Sequence, residues 1–509
     1  MSRTYLLSVV TFAILTWPAA APATVYNLTP SDSWYSIISG SGLSPGDEVI
    51  LHEGTYSSSS WLPMGHQGTA ELPIVIRAAE GEQVVITKSR TTVNNMDIQG
   101  AQYLTLRGLE ITGGSAGIRI MKNDVGDYAK FITIEDCHVH HTDSNAITCN
   151  HTGQTYEGMV FRHNEIDHTG GNGEGFYLGS NNNGSQFFNG LIEGNYIHDL
   201  IWNNSSFQGD GIEIKDGSYN NIIRDNVICN VNYPGIIVYG TCGQGDRNII
   251  ERNVIWNSGD HGIQAAADAI VRNNIIWGSA ADGIHSHHHQ SAIPGNLDIY
   301  DNTVFADPGK DTIYIYLDEP ASGPIVVANN ALYNAGSGGV TVPGGTILTG
   351  NVVSANPGAD FTDWANHDYF PLPGSAVIGA GNAAYVAEDD FNGTLRLGAL
   401  DVGAYLFDAN GNPGWPVQVG FKIIPIPPGD ANKDGEVDGL DYNVWSLHYL
   451  MPGGYADGNF NGDAVVDGLD YNVWSMNYTG GEGSPVPGPA GLSVLALGCL
   501  ALIHRRRPA

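Results

Sequence analysis

Ile223-Arg224-Asp225-Asn226-Val227-Ile228 returns as Ile250-Glu251-Arg252-Asn253-Val254-Ile255, then as Val271-Arg272-Asn273-Asn274-Ile275-Ile276 and Ile299-Tyr300-Asp301-Asn302-Thr303-Val304. Followed in both directions, the pattern runs from Leu104 to Val353. Its central position reads Leu109, Cys137, Asn164, Asn195, Asn226, Asn253, Asn274, Asn302, Asn330, Asn351. Three residues earlier come Leu106, Ile134, Phe161, Ile192, Ile223, Ile250, Val271, Ile299, Val327, Leu348. Two residues later come Ile111, Val139, Ile166, Ile197, Ile228, Ile255, Ile276, Val304, Leu332, Val353. Both flanking columns are apolar throughout, and the copies recur about 21 to 31 residues apart, a period that signals a solenoid.

A second strand starts about nine residues beyond the central column, at Gly117-Ile118, Ala146-Ile147, Gly175-Phe176, Gly211-Ile212, Gly235-Ile236, Gly262-Ile263 and Gly283-Ile284. Each coil therefore holds about three short strands with inward apolar residues, and coil-to-coil stacking makes the strands parallel. The Asn column is expected at a bend, each amide bonding the next coil's Asn and tolerating an unusual backbone. Residues 24–103, with Pro45-Gly46-Asp47-Glu48-Val49-Ile50-Leu51, Pro73-Ile74-Val75-Ile76-Arg77 and Val84-Val85-Ile86, read as strands that begin the stack and cap its open end.

Only 15% of the residues are charged, Gly occurs 67 times, and the formal net charge is −32, which excludes the basic face of a nucleic-acid binder. Cys137, Cys149, Cys229, Cys242 and Cys499 include no C-x-x-C pair; the first four read mostly as core or stack residues, a disulfide among them being open but not deducible. Arg3, the apolar run Leu6–Trp17 and Ala21-Pro22-Ala23 form a secretory signal peptide over residues 1–23. At the other end, Val486-Pro487-Gly488-Pro489, the apolar run Gly491–Ile503 and Arg505-Arg506-Arg507 resemble a bacterial PEP-CTERM sorting signal, with Gly488 at the usual Glu position. That resemblance implies a secreted protein held at the cell surface, with residues 481–509 as the sorting or anchoring tail.

The Asn column, the Gly-Ile strands and the Pro45–Leu51 entry resemble the right-handed parallel β-helix, or pectin-lyase-like, superfamily over residues 24–408. Asp390–Tyr405, with Arg396 and Asp401-Val402-Gly403-Ala404-Tyr405, is similar to the closing segment of its bacterial members. The expected fold is thus all-β, and right-handedness is what the resemblance implies. Activity does not follow, because one fold hosts many functions.

Alternation along the second strand turns Arg119, Thr148, Tyr177, Glu213, Ile237, Gln264, His285 and Tyr314 outward as one column, with Lys215, Tyr239 and His287 two residues further on. Asp210, His261 and Asp282 precede the Gly. Stacked ~4.8 Å apart, these residues form a strip of aromatic platforms, acids and bases suited to a polysaccharide. For β-elimination on a uronan, Lys215 is the base where burial or neighbouring cations favour the free amine, and Tyr239 or His285 donates the proton. Asp210, Glu213 and Asp282 hold Ca2+ against the substrate carboxylate. Lys215, Glu213, Tyr239 and His285 are the candidate catalytic residues; Tyr177, Asp210, His261, Gln264, Asp282, His287 and Tyr314 are the candidate substrate-binding residues. Glu213-Ile214-Lys215-Asp216-Gly217-Ser218 resembles the Lys-bearing strand of the chondroitinase-B/alginate lyase family. That family's Arg on the following coil is replaced by Ile236-Ile237-Val238-Tyr239, so Lys215 alone is carried over.

Other readings stand beside this one. Glu213 and Lys215 also fit a surface ion pair of ~0–1 kcal/mol. His285-Ser286-His287-His288-His289 also fits a transition-metal site, with His288 and His289 in the next turn. Trp256, Trp277, Phe305 and Tyr333 form an aromatic stack expected to pack against a loop or the C-terminal region. The long Asn195–Gly211 spacing places a loop, Trp202 to Gln208, over the strip.

Residues 409–429 are a Pro/Gly-rich linker. In residues 430–480, Val437-Asp438-Gly439-Leu440-Asp441-Tyr442-Asn443-Val444-Trp445 recurs from Val466 to Trp474. Asp430, Asn432, Asp434, Glu436 (by its carbonyl), Asp438 and Asp441 match the ligand positions of a Ca2+ loop, with Gly435 at its turn. In the second copy Asn459, Asn461, Asp463, Val465 (carbonyl), Asp467 and Asp470 take those positions, with Ala464 at the turn and weaker binding expected. The two loop–helix repeats resemble a type I dockerin, which implies a small helical Ca2+-binding module and a cohesin-type partner. The sequence thus points to a secreted polysaccharide lyase, with a non-catalytic adhesive β-helix, a glycoside hydrolase using Asp210 and Asp282, or an epimerase as alternatives.

Overall fold

The computed structural model describes residues 23–123, 126, 128–171, 173–200, 208–334, 339–423, 427–431, 437–463 and 465–478. The expected signal peptide up to Pro22, the loop residues Trp202–Phe207, the expected Ca2+ ligands Asn432, Asp434 and Glu436 and the expected sorting tail lie outside these residues. The chain divides into two compact units. One comprises the described residues up to Phe391 with Arg396–Ala409 and Val417–Lys422; the other comprises Asn392–Leu395, Asn410–Pro416 and the described residues from Ile423 onward.

The first unit is a parallel β-solenoid of three sheets with 13, 12 and 11 strands. One coil shows the plan. Ile222–Arg224 lies in the 13-stranded sheet, Val227–Val231 in the 12-stranded sheet and Ile236–Val238 in the 11-stranded sheet, and Asn248–Glu251 begins the next coil. Inward residues stack in register, as Ile223, Ile250, Val271, Ile299 and Val327 on the first sheet and Ile228, Ile255, Ile276, Val304 and Leu332 on the second. Ile212, Ile236, Ile263, Ile284 and Ile313 stack on the third. All fifteen are fully buried, each contributing about 1.5–3 kcal/mol of transfer free energy. The Gly before the third strand is a packing requirement: a Cβ on Gly262 would lie 2.4 Å from Ile276 Cγ2.

At the corner between the first two strands the Asn column forms a continuous ladder from Asn164 to Asn351. Asn253 Nδ2 donates to Asn274 Oδ1 (3.0 Å) and to Ile223 O (2.9 Å), while Asn253 Oδ1 accepts from Asn226 N and Nδ2 (3.0 and 2.9 Å). One expectation about this corner needs correcting. The left-handed backbone belongs to the residue before each Asn, such as Asp225 (φ 59°), Asn273 (φ 56°) and Asp301 (φ 54°), with Gly at 194 and 350. The ladder Asn is held by its amide bonds; its neighbour turns the corner, where Gly, Asn and Asp adopt αL most readily.

Helix Trp34–Ile38 closes the first end of the core, burying Trp34 edge-on against Tyr56 at 5.4 Å. Trp256 and Trp277 stack at 5.0 Å, and Phe305 and Tyr333 at 5.2 Å, under His367 and Tyr369 of an antiparallel hairpin. That face is packed, as expected of a stack covered by a loop. Arg396, 2% exposed, donates to the carbonyls of Asp389, Asp401 and Gly403 and to Asn273 Oδ1, tying the closing segment to a ladder corner. Cys137, Cys149 and Cys229 are buried free thiols; Cys242, expected in the core, is an exposed free thiol in the turn after the third strand.

The second unit contains two ten-residue helices, Gly439–His448 and Gly468–Asn477, each opened by a capping box, Asp438/Asp441 and Asp467/Asp470. They are related as a pair: Trp445 Nε1 donates to Asp467 O and Trp474 Nε1 to Asp438 O, both at 2.8 Å. Asp441 and Asp470 are fully buried, accepting from Ala431 N and Asn461 N. Asn459 and Asp463 cap backbone amides of the second loop at Gly462 and Val465.

Candidate active site

The 11-stranded sheet turns Tyr177, Glu213, Ile237, Gln264, His285 and Tyr314 outward in one register column. The residues two places before each of these strands stack beside it as Asn145, Glu174, Asp210, Pro234, His261, Asp282 and Asp311, each carbonyl accepting from a backbone amide of the preceding coil. The strip resolves into two clusters. Glu213 and His285 are three rungs apart, so the clusters are centred about 14 Å from each other.

The first cluster centres on Lys215, whose ammonium contacts the Glu213 carboxylate and donates to Tyr239 OH at 3.0 Å. It also lies 4.8 Å from the Tyr177 ring centre and 4.7 Å from that of Tyr239. Tyr239 OH donates to Glu213 Oε1 (3.0 Å) and lies 3.1 Å from His289 Nε2. Both members of the ion pair are nearly solvent-free, at 7% and 5% side-chain exposure, so this is a buried pair, not a surface one. Burial first, and the Glu213 charge second, push the phenol of Tyr239 far up, so it keeps its proton. The Tyr177 phenol is raised for the same reasons.

Behind Lys215 lie three buried carboxylates. Glu174, Asp210 and Glu213 bring oxygens within 4.8 Å of one another. Both oxygens of Glu174 and Oδ1 of Asp210 have no hydrogen-bond partner among the described residues. Burial, and then the Glu213 charge, push the Glu174 carboxyl up to about 8; burial followed by Glu213 and Glu174 takes Asp210 well above the usual carboxylate range. Crowded, solvent-poor acids with unused lone pairs fit a hard cation such as Ca2+, which takes oxygen ligands. Glu174 replaces Asp282 in the expected ligand set. Its signal was present in the sequence, since it precedes Gly175-Phe176 as Asp210 precedes Gly211-Ile212.

Asp282 belongs to the second cluster. His285 Nδ1 meets Asp282 Oδ2 at 2.9 Å and His285 Nε2 meets His287 Nδ1 at 2.9 Å, while His261 stacks on His285 at 3.8 Å. Tyr314 stacks on the other face of His285 at 5.3 Å. Burial opposes the Asp282 charge, but hydrogen bonds from His285 and Asp311 N–H outweigh it and hold that carboxyl low. Burial, then His285, holds His261 down to about 3, and His261 Nδ1 accepts from Asp282 N at 3.1 Å. Gln264 lies between the clusters, 3% exposed, its Nε2 without a partner among the described residues. Two expectations change here. His285, paired three rungs away, is not beside Lys215. His289, placed by sequence in the next turn, folds back onto Tyr239, and burial, then His287, holds it down to about 4.

The raised carboxyls give a pH signature. Free in an unfolded chain, Glu174 loses its proton near 4.5; folded and cation-free, it keeps it to about 8. Between these values Glu174 binds its proton in the native state and not in the unfolded one, so its own contribution to stability falls as pH rises. In chelator, the urea midpoint of Glu174→Gln is expected to rise relative to that of the wild type as the pH goes from 4.5 to 8, because the variant lacks the falling contribution. Added Ca2+ restores the wild type at pH 8 and not the variant. A difference between variant and wild type that stays flat across this range would show that Glu174 is ionised in the fold.

A family model described as right handed beta helix region matches residues 161–310, and one for chondroitinase B matches residues 35–179, ending between Tyr177 and Asp210. No curated protein matches the chain. Among solved structures, pectate lyase Pel9A is 15% identical with a TM-score of 0.49, over 77% of this chain and 98% of that one. An alginate lyase from Paenibacillus sp. str. FPU-7 is 21% identical with a TM-score of 0.37, over 65% and 99%. A lacto-N-biosidase from Eubacterium ramulus is 12% identical with a TM-score of 0.38, over 65% and 67%.

Proposed function

We propose that this protein is a polysaccharide lyase that cleaves a uronic-acid-containing glycan by β-elimination. The observation that carries the reading is the set of three buried carboxylates, with unused oxygens on Glu174 and Asp210, beside a lysine packed against the Tyr177 and Tyr239 rings. The chondroitinase B model supports the same class over the coils leading into the site. Glu174, Asp210 and Glu213 would hold Ca2+, whose chemistry is to neutralise the substrate carboxylate and so make the neighbouring C–H bond more acidic. Lys215 faces the strip as the base. Sharing Glu213 with a cation leaves Lys215 short of its counter-ion, the condition under which an amine can accept a proton from carbon. Tyr239, protonated and within reach of Lys215 and His289, donates to the leaving oxygen. Tyr177 is a stacking platform for one sugar ring, and the His285 cluster with Gln264 and Tyr314 binds the sugars beyond.

A hydrolase using Asp210 and Asp282 fits less well. Their backbones are three rungs, about 14 Å, apart, beyond the ~5–9.5 Å of paired glycosidase carboxylates. The paired helices with buried Asp441 and Asp470 support a dockerin-type module taking Ca2+ and a cohesin-type partner, and the two terminal segments support export and retention at the cell surface.

The test is a screen of uronic-acid and neutral polysaccharides with and without chelator. A lyase produces ultraviolet absorbance from an unsaturated uronide, abolished by chelator. Reducing ends without that absorbance would establish a hydrolase, and binding without either signal an adhesin.

A further inference from the structure

We propose that His138, His140 and Asp167, with Glu165 and His198 alongside, bind a divalent transition-metal ion of the Zn2+ type on the outward face of the 12-stranded sheet. This face is separate from the strip, and its ligands come from three consecutive coils. His138 pairs in register with Glu165, and His140 with Asp167 and then His198, while Val139, Ile166 and Ile197 between them point into the core. Strand alternation thus puts every polar member of the patch on one surface.

The donor atoms already converge. Those of His138, His140 and Asp167 lie within 4.8 Å of one another, as do those of Glu165, Asp167 and His198, so Asp167 is common to both sets. Asp167 Oδ2 is 2.5 Å from His138 Nε2 and 4.0 Å from His198 Nε2, while Oδ1 is anchored by His168 Nδ1. Nitrogen and oxygen ligands of Zn2+ sit about 3.3 Å apart in a tetrahedral shell, within the range these atoms span. The far nitrogens of the rings are held as well. His198 Nδ1 meets Asp199 Oδ2 at 2.8 Å and His140 Nδ1 meets His141 Nδ1 at 2.6 Å, contacts that orient a ligating imidazole. Asp167 is buried, but the His138 side chain is 36% exposed and gives the ion a way in.

The residue types separate this patch from an ordinary ion-pair face. On the adjoining 13-stranded sheet, outward carboxylates are matched by arginine, as Glu135 by Arg107 and Arg162, Glu193 by Arg224, and Glu251 by Arg272. On the His138 patch every base is an imidazole. If charge pairing were the only requirement, arginine would serve there too; imidazole with carboxylate is the donor set that selects Zn2+ and its neighbours over Ca2+. The position also makes structural sense. The Asn ladder starts at Asn164, the coils before it carrying Leu109 and Cys137 instead, and the ion would clip together the coils where the ladder begins.

Co2+ provides the readout. Full-length protein, free of any affinity tag and stripped by chelator, is titrated with Co2+ in excess Ca2+, which occupies the oxygen-only sites. Visible ligand-field bands saturating at one equivalent are expected. His138→Gln with His140→Gln, and separately the near-isosteric Asp167→Asn, should weaken uptake at least ten-fold, while His285→Gln leaves it unchanged. Zn2+ should raise the melting temperature of the wild type and not of the double variant, whose metal-free melting shows whether it folds. No bands in the wild type, full bands in the folded double variant, or loss of the bands only in His285→Gln would overturn the assignment.

Discussion

Asn253→Ala should lower the unfolding free energy by about 3–5 kcal/mol. The side chain serves four buried groups at once: it accepts from Asn226 N and Nδ2 and donates to Ile223 O and Asn274 Oδ1. Each buried group left unsatisfied costs about 1–3 kcal/mol, and Ile223 O and Asn274 Oδ1 retain some of their other bonds, which keeps the total below the sum. Asn351, the last rung among the described residues, also accepts from Asn330 N and Nδ2 and donates to Val327 O and Thr349 O, but it is only part-buried, so water can replace the bonds it gives up. Asn351→Ala should therefore cost about 1 kcal/mol. Urea unfolding of both variants checks this. A cost near zero for Asn253→Ala would mean that the ladder bonds are exchanged for water bonds without loss.

Lys215→Ala should reduce kcat on the cleaved uronan by about 100- to 10,000-fold, the usual contribution of a positioned base. KM should change little, because Tyr177 and the His285 cluster remain in place. Lys215→Arg should not rescue, since a guanidinium does not give up its proton under these conditions. The initial rate of unsaturated-uronide absorbance measures the effect. Removing the ammonium leaves Glu213 buried and unpaired, so Lys215→Gln, with circular dichroism in Ca2+, separates misfolding from lost chemistry. A folded variant with wild-type rates would remove Lys215 from the mechanism.

The columns were legible because they depend only on period. Ile223, Asn226 and Ile228 lie on a short extended stretch of fixed length, and their repetition specifies both strands and the corner between them. The outward column through Tyr177, Glu213, Gln264 and His285 followed from the same register. What the period does not carry was missed. His289 reaches Tyr239 because the chain turns back after His287, a loop path with no repeat to announce it. Asp282 was grouped with Asp210 because both precede a Gly, yet three rungs separate them and the nearer acid, Glu174, is the neighbour that matters. The buried character of the Glu213–Lys215 pair was also hidden, since it arises from Tyr177 and Tyr239 closing over it from adjacent coils.

The Asn corner also divides labour within each coil. Successive rungs are joined whether the chain between them is 21 residues long, from Asn253 to Asn274, or 31, from Asn195 to Asn226. All of that variation falls in the other two corners, because Ile223 to Ile228 and Ile250 to Ile255 span the same interval. The scaffold is therefore indifferent to insertions at the corners bordering the site-bearing sheet. A segment can be grafted or excised there without shifting any strand, so the groove could be reshaped for a new glycan while the spine that aligns it stays untouched.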